Sequence, residues 1–139
     1  QTPLLVRFVH NPDSSLPNGV SLLAAAPLAA PRFFLQMVDH VFAGPTLAKL
    51  VASPLTDGEE GRVLVDRAPR GLDLDDATRV RLADGRVAAI GKGLSPWDAI
   101  DAGCFVLTPA IFDALRDVTP TRAIAADLGP STVKTGRWA

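Results

Sequence analysis

The segment from Phe33 to Val38 constrains the fold more than any other part of the chain. Five of its six residues are apolar, and only Gln36 interrupts them, which is typical of a strand buried on both faces. Asp39 and His40 follow the segment directly. Open α/β sheets bind ligands at the carboxyl ends of their strands, so Asp39 is a candidate functional carboxylate. The alternative is that Asp39 forms a turn and His40 is a surface residue.

The composition is that of one ordinary globular domain. The 139 residues are 47% hydrophobic and 21% charged, and the net charge of −1 provides no bulk attraction for nucleic acid or anionic lipid. Cys104 is the only cysteine, which excludes an internal disulfide and a cysteine-based zinc site. No apolar stretch approaches the roughly 18 residues of a membrane helix, and no signal-peptide pattern is present. We therefore expect a cytosolic protein that does not bind nucleic acid.

Alternating strand and helix patterns predict an α/β fold. Short apolar runs predict strands, and Ala- and Leu-rich or periodic segments predict helices. Asp84-Gly85 lies between two alternating runs and predicts a hairpin. We expect a mostly parallel sheet flanked by helices, with this hairpin as an antiparallel excursion. The predicted strands are 3–10, 32–39, 62–66, 79–82, 86–90 and 99–107, the predicted helices are 20–30, 45–51 and 109–118, and residues 119–139 show no clear period.

The common catalytic signatures are absent from the sequence. It contains no glycine-rich phosphate loop, no nucleophile elbow and no pair of histidines at metal-binding spacing. Aspartates stand instead at or beside three predicted strands, at Asp39, Asp66 and Asp101. Mg²⁺ keeps several waters and binds substrate phosphates, so one or two such carboxylates suffice for phosphoryl transfer. Most strand-end aspartates are turn residues, and that alternative stays open here.

An ordered set of segments resembles a known enzyme family. The segments are Asn11-Pro12, NGVSLLAA (18–25), FLQMVDHVF (34–42), VDRAP (65–69), LDDATRV (74–80), IGKGL (90–94) and DAIDAGCF (98–105). Together they resemble the nucleotidyltransferases that couple a nucleoside triphosphate to a sugar phosphate or polyol phosphate. Within that group, the chain is most similar to the branch of CTP:inositol-1-phosphate cytidylyltransferase.

The resemblance implies a fold and a reaction. The fold would be a Rossmann-like α/β sheet, and the reaction would require Mg²⁺. The phosphate of a phosphorylated small alcohol, such as inositol 1-phosphate, would attack the α-phosphorus of CTP or another triphosphate, and pyrophosphate would leave. Such a reaction supplies precursors for phospholipid synthesis.

The resemblance also implies roles for individual residues. Asp39 corresponds to the Mg²⁺ ligand, and Lys92 and Asp101 correspond to catalytic residues, with Asp101 bordering the pocket for the alcohol phosphate. Lys92 would offer a point charge to a phosphate, and a solvated surface lysine is the alternative. Arg79 stands where such enzymes often carry lysine, so the charge is kept while the donor geometry differs. The residues expected to contact substrate are Asn18, Gly19, Ser21, His40, Arg79 and Gly103.

The chain also departs from the family pattern. It begins downstream of the glycine-rich loop that cradles the triphosphate, and the family's second metal-binding Asp would lie beyond Trp138. We therefore expect residues 1–139 to form a single nucleotidyltransferase-like domain, incomplete at both ends and inactive in isolation. Two alternatives are a catalytically inactive, regulatory nucleotide-sugar-binding module and a related glycosyltransferase. The resemblance also implies a fused or partner membrane transferase domain, as in some relatives of the inositol branch.

Overall fold

The computed structural model describes residues 4–13, 15–71, 73–118 and 134–138. They divide into two compact units, one formed by Gln1–Pro31 with Pro109–Ala139 and the other by Arg32–Thr108. The elements are β1 (Leu4–Phe8), α1 (Asn18–Ala24), a 3-10 turn (Ala26–Leu28), β2 (Phe33–Gln36), α2 (Gly44–Ala52), β3 (Gly61–Asp66), β4 (Arg79–Ala83), β5 (Arg86–Gly91), β6 (Ala99–Leu107), α3 (Ala110–Val118) and β7 (Lys134–Trp138). The six predicted strands and the helices predicted over 45–51 and 109–118 are confirmed in position, with small shifts at their ends. β7 was not predicted, because residues 119–139 show no clear period.

The first unit combines one strand pair with two helices. β1 pairs antiparallel with β7, and α1 contacts α3. Val20 on α1 and Phe112 on α3 are buried. The helix predicted over 20–30 is divided, because α1 ends at Ala24 and a 3-10 turn containing Pro27 follows. Pro27 has no backbone N–H to donate within a helix, which explains the break.

The second unit is built around β6, which has strands on both of its edges. β3 pairs with β6 between Ile100 and Leu107 along one edge, with a shift of register between Val63 and Val65. On the other edge, β2 pairs with the carboxyl half of β6 and β4 pairs with Ala99 and Ile100. β5 extends the sheet beyond β4. The mostly parallel sheet predicted from the sequence is therefore wrong, because every ladder described in this sheet is antiparallel.

The reason for this error is the place of β6 in the sheet. β2, β3 and β4 all run antiparallel to β6 and hence in the same direction as one another, as an alternating strand and helix pattern favours. β6, which comes late in the chain, lies between β3 on one edge and β2 and β4 on the other. Local sequence patterns do not report such a long-range pairing.

The expected burial of β2 on both faces is also wrong. Phe33 and Leu35 are half-buried, whereas Phe34 and the following Val38 are exposed among the described residues. The most buried strand is β6, whose Cys104 and Val106 belong to the core of this unit. Leu50 of α2 completes this core. The partly buried residues packed against it come from α2, the segments on either side of it, and β3: Phe42, Leu47, Leu55 and Leu64.

The hairpin of β4 and β5 turns at Asp84-Gly85, as predicted, with both residues at positive φ. A bulge follows, because Arg81 pairs with Ala89 and Leu82 pairs with Val87, which leaves Ala88 unpaired. Because one residue is left unpaired, the paired side chains on both sides of the bulge stay on the same two faces of the hairpin. One face carries Val80, Leu82, Val87 and Ile90, and the opposite face carries Arg79 and Arg81.

None of the helices in the described part of the chain has the length and apolar character needed to cross a membrane.

Candidate active site

A tight turn follows β2 and presents Asp39. The His40 N–H donates to the Met37 carbonyl at 3.3 Å, which closes the turn. The Gln36 side-chain amide donates to the His40 carbonyl at 2.7 Å and so fixes the turn to the strand that precedes it. The Met37 N–H donates to the Gly103 carbonyl at 2.9 Å. The turn is therefore held against β6 by backbone and side-chain hydrogen bonds.

Asp39 and His40 form a side-chain pair on this turn. His40 Nδ1 lies 2.8 Å from Asp39 Oδ1. The hydrogen bond with His40 lowers the pKa of the Asp39 carboxyl, and a backbone hydrogen bond acts in the same direction. The Asp39 side chain is 78% exposed. Asp39 thus takes part in a turn, and its carboxylate is also ionised and accessible to a ligand.

Gly103 provides the surface on which the His40 ring rests. Its φ is +71°, and a Cβ built there would lie 3.3 Å from two carbons of the His40 ring and 3.1 Å from Met37 Cγ. The Gly103 N–H donates to Asp101 Oδ1 at 2.8 Å. Glycine at this position therefore allows the turn after β2 and the Asp101 carboxylate to approach the same short stretch of β6.

The Asp101 carboxyl is half-buried, and burial raises its pKa. The Gly103 N–H and the His40 ring act in the opposite direction but are weaker. Burial also raises the pKa of the Cys104 thiol, and the neighbouring Asp101 adds to this shift. Cys104 is therefore a buried apolar side chain here and not a thiolate nucleophile.

β6 changes its strand partner where Asp101 lies. From Gly103 onwards its edge is paired with β2 and the turn after it. At Asp101 the N–H donates instead to the Thr78 carbonyl at 2.9 Å, and Arg79 pairs with Ile100. The carboxyl end of β2 and the start of β4 therefore flank this position.

The predicted cations Arg79 and Lys92 lie at one end of the hairpin. Arg79 pairs with Gly91, the residue before Lys92. The Arg79 guanidinium donates to the Leu74 carbonyl at 3.3 Å. Lys92 forms an ion pair with the carboxylate of Asp76.

Three further predicted residues lie in the other unit. Asn18 and Gly19 begin α1, and Ser21 follows one turn later. The Asn11 side-chain amide donates to the Ser21 hydroxyl at 2.9 Å. A Cβ at Gly19 would lie 2.8 Å from Leu115 Cδ2, so Gly19 also permits the close contact of α1 with α3.

The structure thus gathers Asp39, His40, Asp101 and Gly103 at one position, and Arg79 and Lys92 at the end of the neighbouring hairpin. Sequence reasoning missed two polar residues that hold this arrangement, Gln36 and Asp76, and within the first unit it missed the hydrogen bond of Asn11 with Ser21. Gln36 carried a usable signal, because it is the single polar residue in an apolar strand. Asp76 carried none, since it stands in an acidic loop that is typical of a solvated surface.

The donor groups suit a hard cation with few protein ligands. The described residues contain no group of three or more His, Cys, Asp or Glu side chains that could hold a metal ion. Mg²⁺ does not require one, because it binds through one or two carboxylates, waters and substrate phosphates. The exposed, ionised carboxylate of Asp39 fits that pattern.

Comparison with known proteins identifies relatives of the chain. No model of a known protein family matches it. Proteins named bifunctional IPC transferase and DIPP synthase are 45% identical over 103 residues in Archaeoglobus fulgidus and 38% identical over 118 residues in Rubrobacter xylanophilus. These alignments cover 72% and 84% of the chain but 20% and 26% of the relatives. The chain therefore spans about a fifth to a quarter of the length of the curated relatives it matches.

A solved structure matches the fold. It is the inositol-1-phosphate CTP transferase from T. maritima, with a TM-score of 0.64 and 24% identity over 75% of this chain and 42% of that one. The chain accordingly shares the mixed α/β fold of that structure. The chain and these relatives belong to one family, which is of the CTP:inositol-1-phosphate cytidylyltransferase type. The resemblance found in the sequence is therefore confirmed.

Proposed function

We propose that the chain is part of a cytidylyltransferase that transfers CMP from CTP to inositol 1-phosphate and releases pyrophosphate. The observation that carries the proposal is the seating of the Asp39-His40 turn over Asp101 and Gly103, where β6 changes its strand partner. The names of the relatives and of the matching structure supply the substrates.

The reaction forms one bond and breaks another. An oxygen of the acceptor phosphate bonds to the α-phosphorus of CTP, and the bond from that phosphorus to the β-phosphate oxygen breaks. Such chemistry depends on positioning and on neutralising phosphate charge. Arg79 and Lys92 would bind phosphate oxygens, the first as a planar fork and the second as a point charge. Asp101 would accept a hydrogen bond from an alcohol hydroxyl of the acceptor, beside the hydrogen bond that it already accepts from the Gly103 N–H.

Asp39 would hold Mg²⁺ in this proposal, and His40 would fix the orientation of its carboxylate. When bound, Mg²⁺ would neutralise phosphate charge and help to orient the two substrates. Asn18, Gly19 and Ser21 would bind the nucleotide, with Asn11 orienting the Ser21 hydroxyl.

The bifunctional names of the relatives support a second transferase in the same polypeptide or in a partner. The membrane character of that second transferase stays a prediction. The cytosolic location of this domain also stays a prediction. Those names do not favour an inactive nucleotide-sugar-binding module. A glycosyltransferase is distinguished by its product, since it would release a nucleoside diphosphate and not pyrophosphate.

The test is pyrophosphate release from CTP and inositol 1-phosphate with Mg²⁺, measured on the full-length protein that contains this chain. We expect Asp39→Asn to lower turnover by about 100-fold or more, because it removes the charge that would hold the cation. Asp57→Asn is the matched control, since Asp57 is an exposed loop residue far from the turn in sequence, and it should leave turnover unchanged. Equal turnover in Asp39→Asn and the wild type would contradict the role of Asp39, and release of a nucleoside diphosphate would contradict the reaction.

A further inference from the structure

Both cations assigned to phosphate binding are engaged by one short segment of the chain. Arg79 and Lys92 stand at the same end of the hairpin, because Arg79 pairs with Gly91. The segment before β4 reaches both of them, through the Leu74 carbonyl to Arg79 and through the Asp76 carboxylate to Lys92. A hydrogen bond from the Asp75 N–H to Asp73 Oδ1 at 3.0 Å shapes this segment. We call residues 73–76 the acidic segment.

The acidic segment presents oxygen acceptors to these cations, as a phosphate would. A carboxylate places a charged oxygen on the lysine ammonium, and a peptide carbonyl places a neutral oxygen on the guanidinium. Phosphate oxygens would take both positions and carry more charge than these acceptors. In the present structure, the acidic segment therefore occupies the donor groups on which a phosphate would bind.

We propose that the acidic segment is a built-in anion mimic, and that a substrate phosphate must displace Asp76 from Lys92 in order to bind. Asp76 thereby sets the affinity of the site for phosphate through its competition with the ligand. This inference rests on the proposed function, because that function makes Lys92 and Arg79 phosphate ligands.

The observed contacts are suited to such an exchange. The side chains of Lys92 and Asp76 are 63% and 85% exposed, and ion pairs at such positions are weak because water and salt screen them. The hydrogen bond from Arg79 to Leu74 is long at 3.3 Å. A phosphate that contacts both cations can therefore replace both contacts, and the acidic segment returns when the phosphate leaves.

The experiment compares two neighbouring carboxylates. Asp76→Asn removes the competing charge, and we expect it to tighten phosphate binding by about 1.5-fold to fivefold, the range that an exposed ion pair supports. Asp75→Asn removes the same charge one residue away, from a side chain that forms no ion pair in the described part of the chain. It should leave the affinity unchanged. Binding is measured by calorimetric titration with CTP in one arm and inositol 1-phosphate in the other, and the tightened arm identifies which phosphate uses the site.

Two further measurements separate competition from a structural role. In a Lys92→Gln background, Asp76→Asn should no longer affect binding, because the competition acts through Lys92. The gain from Asp76→Asn should also shrink as ionic strength rises, since salt weakens the exposed ion pair that it removes. Circular dichroism confirms that each variant is folded.

Three results would overturn the proposal: equal effects of Asp75→Asn and Asp76→Asn, weaker binding in Asp76→Asn, or no binding of either compound to the wild type and Asp76→Asn. The outcome is independent of the reaction assay. Tighter binding in Asp76→Asn without CTP-dependent pyrophosphate release would retain the anion mimic and reject the cytidylyltransferase. Pyrophosphate release without any effect of Asp76→Asn on binding would retain the cytidylyltransferase and reject the anion mimic.

Discussion

At the scale of single residues, Gly103 is the most constrained position of the candidate site. It combines a positive φ with a lack of space, because a Cβ would press on Met37 and on the His40 ring. We expect Gly103→Ala to lower the free energy of unfolding by about 1–2 kcal/mol through backbone strain, with an added effect from these contacts. Urea unfolding measures the change. Gly93→Ala is the control, since Gly93 has open space and no positive φ, and equal losses in both variants would show that Gly103 has no special role.

Asp101 makes stability depend on pH in a defined direction. Burial raises its pKa in the folded protein, so between its ordinary pKa and the raised value the folded state binds more protons than the unfolded state. The contribution of Asp101 to stability therefore falls as pH rises through that window and recovers on acidification. Asp101→Asn should remove this component while its side-chain carbonyl still accepts the Gly103 N–H. Urea unfolding at several pH values, with Asp57→Asn as control, tests this. Parallel pH profiles of the Asp101→Asn and wild-type proteins would refute it.

Sequence patterns at this scale located the candidate residues and not their contacts. Asp39 was found because it follows an apolar run, and Asp101 because it lies within one. The contact of His40 with Gly103 joins residues more than sixty positions apart and depends on the turn between Met37 and His40. The roles of these residues in binding and catalysis stay predictions.

At the scale of elements, the hairpin offers a test of burial on one face. Val80 and Val87 share that face, but Val80 is fully buried and Val87 is 43% exposed. Val80→Ala should lower the free energy of unfolding by about 1–3 kcal/mol, through lost burial and the cavity it leaves. Val87→Ala should cost clearly less, within about 1 kcal/mol. Equal losses of the free energy of unfolding in chemical denaturation would mean that the burial of Val80 does not stabilise the hairpin.

The elements themselves were largely predictable, and their pairing was not. The hairpin, β6 and α3 were predicted with nearly correct ends, because turn residues, apolar runs and proline act locally. The order of strands in the sheet was missed because β6 pairs with β2 and β3 across long stretches of chain. The apolar character of β2 was read as burial on both faces, whereas one of its faces is exposed in the described structure.

At the scale of the molecule, the net charge of −1 gives no general attraction for anionic substrates. In the proposed function, phosphate recognition would therefore come from local cations, and the Arg79 and Lys92 end of the hairpin would supply them. The family and the α/β character were predicted correctly from the ordered motifs. The prediction of one domain over 1–139 stays untested beside the two compact units of the structure.

The bulge at Ala88 bears on how this family can vary in length. Removing Ala88 would leave Arg81 opposite Ala89 and Leu82 opposite Val87 in an unbroken ladder, so neither face of the hairpin would change its residues. Related sequences can therefore gain or lose one residue here without moving Arg79 or Lys92. β6 carries an irregularity of its own, because Val63 pairs with Phe105 and Val65 pairs with Asp101, which places residues 102–104 of β6 opposite the single residue Leu64 of β3. Asp101 borders this irregular stretch and Gly103 lies within it at a positive φ. We therefore expect insertions and deletions to accumulate in the hairpin and to avoid this stretch of β6, where they would displace both residues.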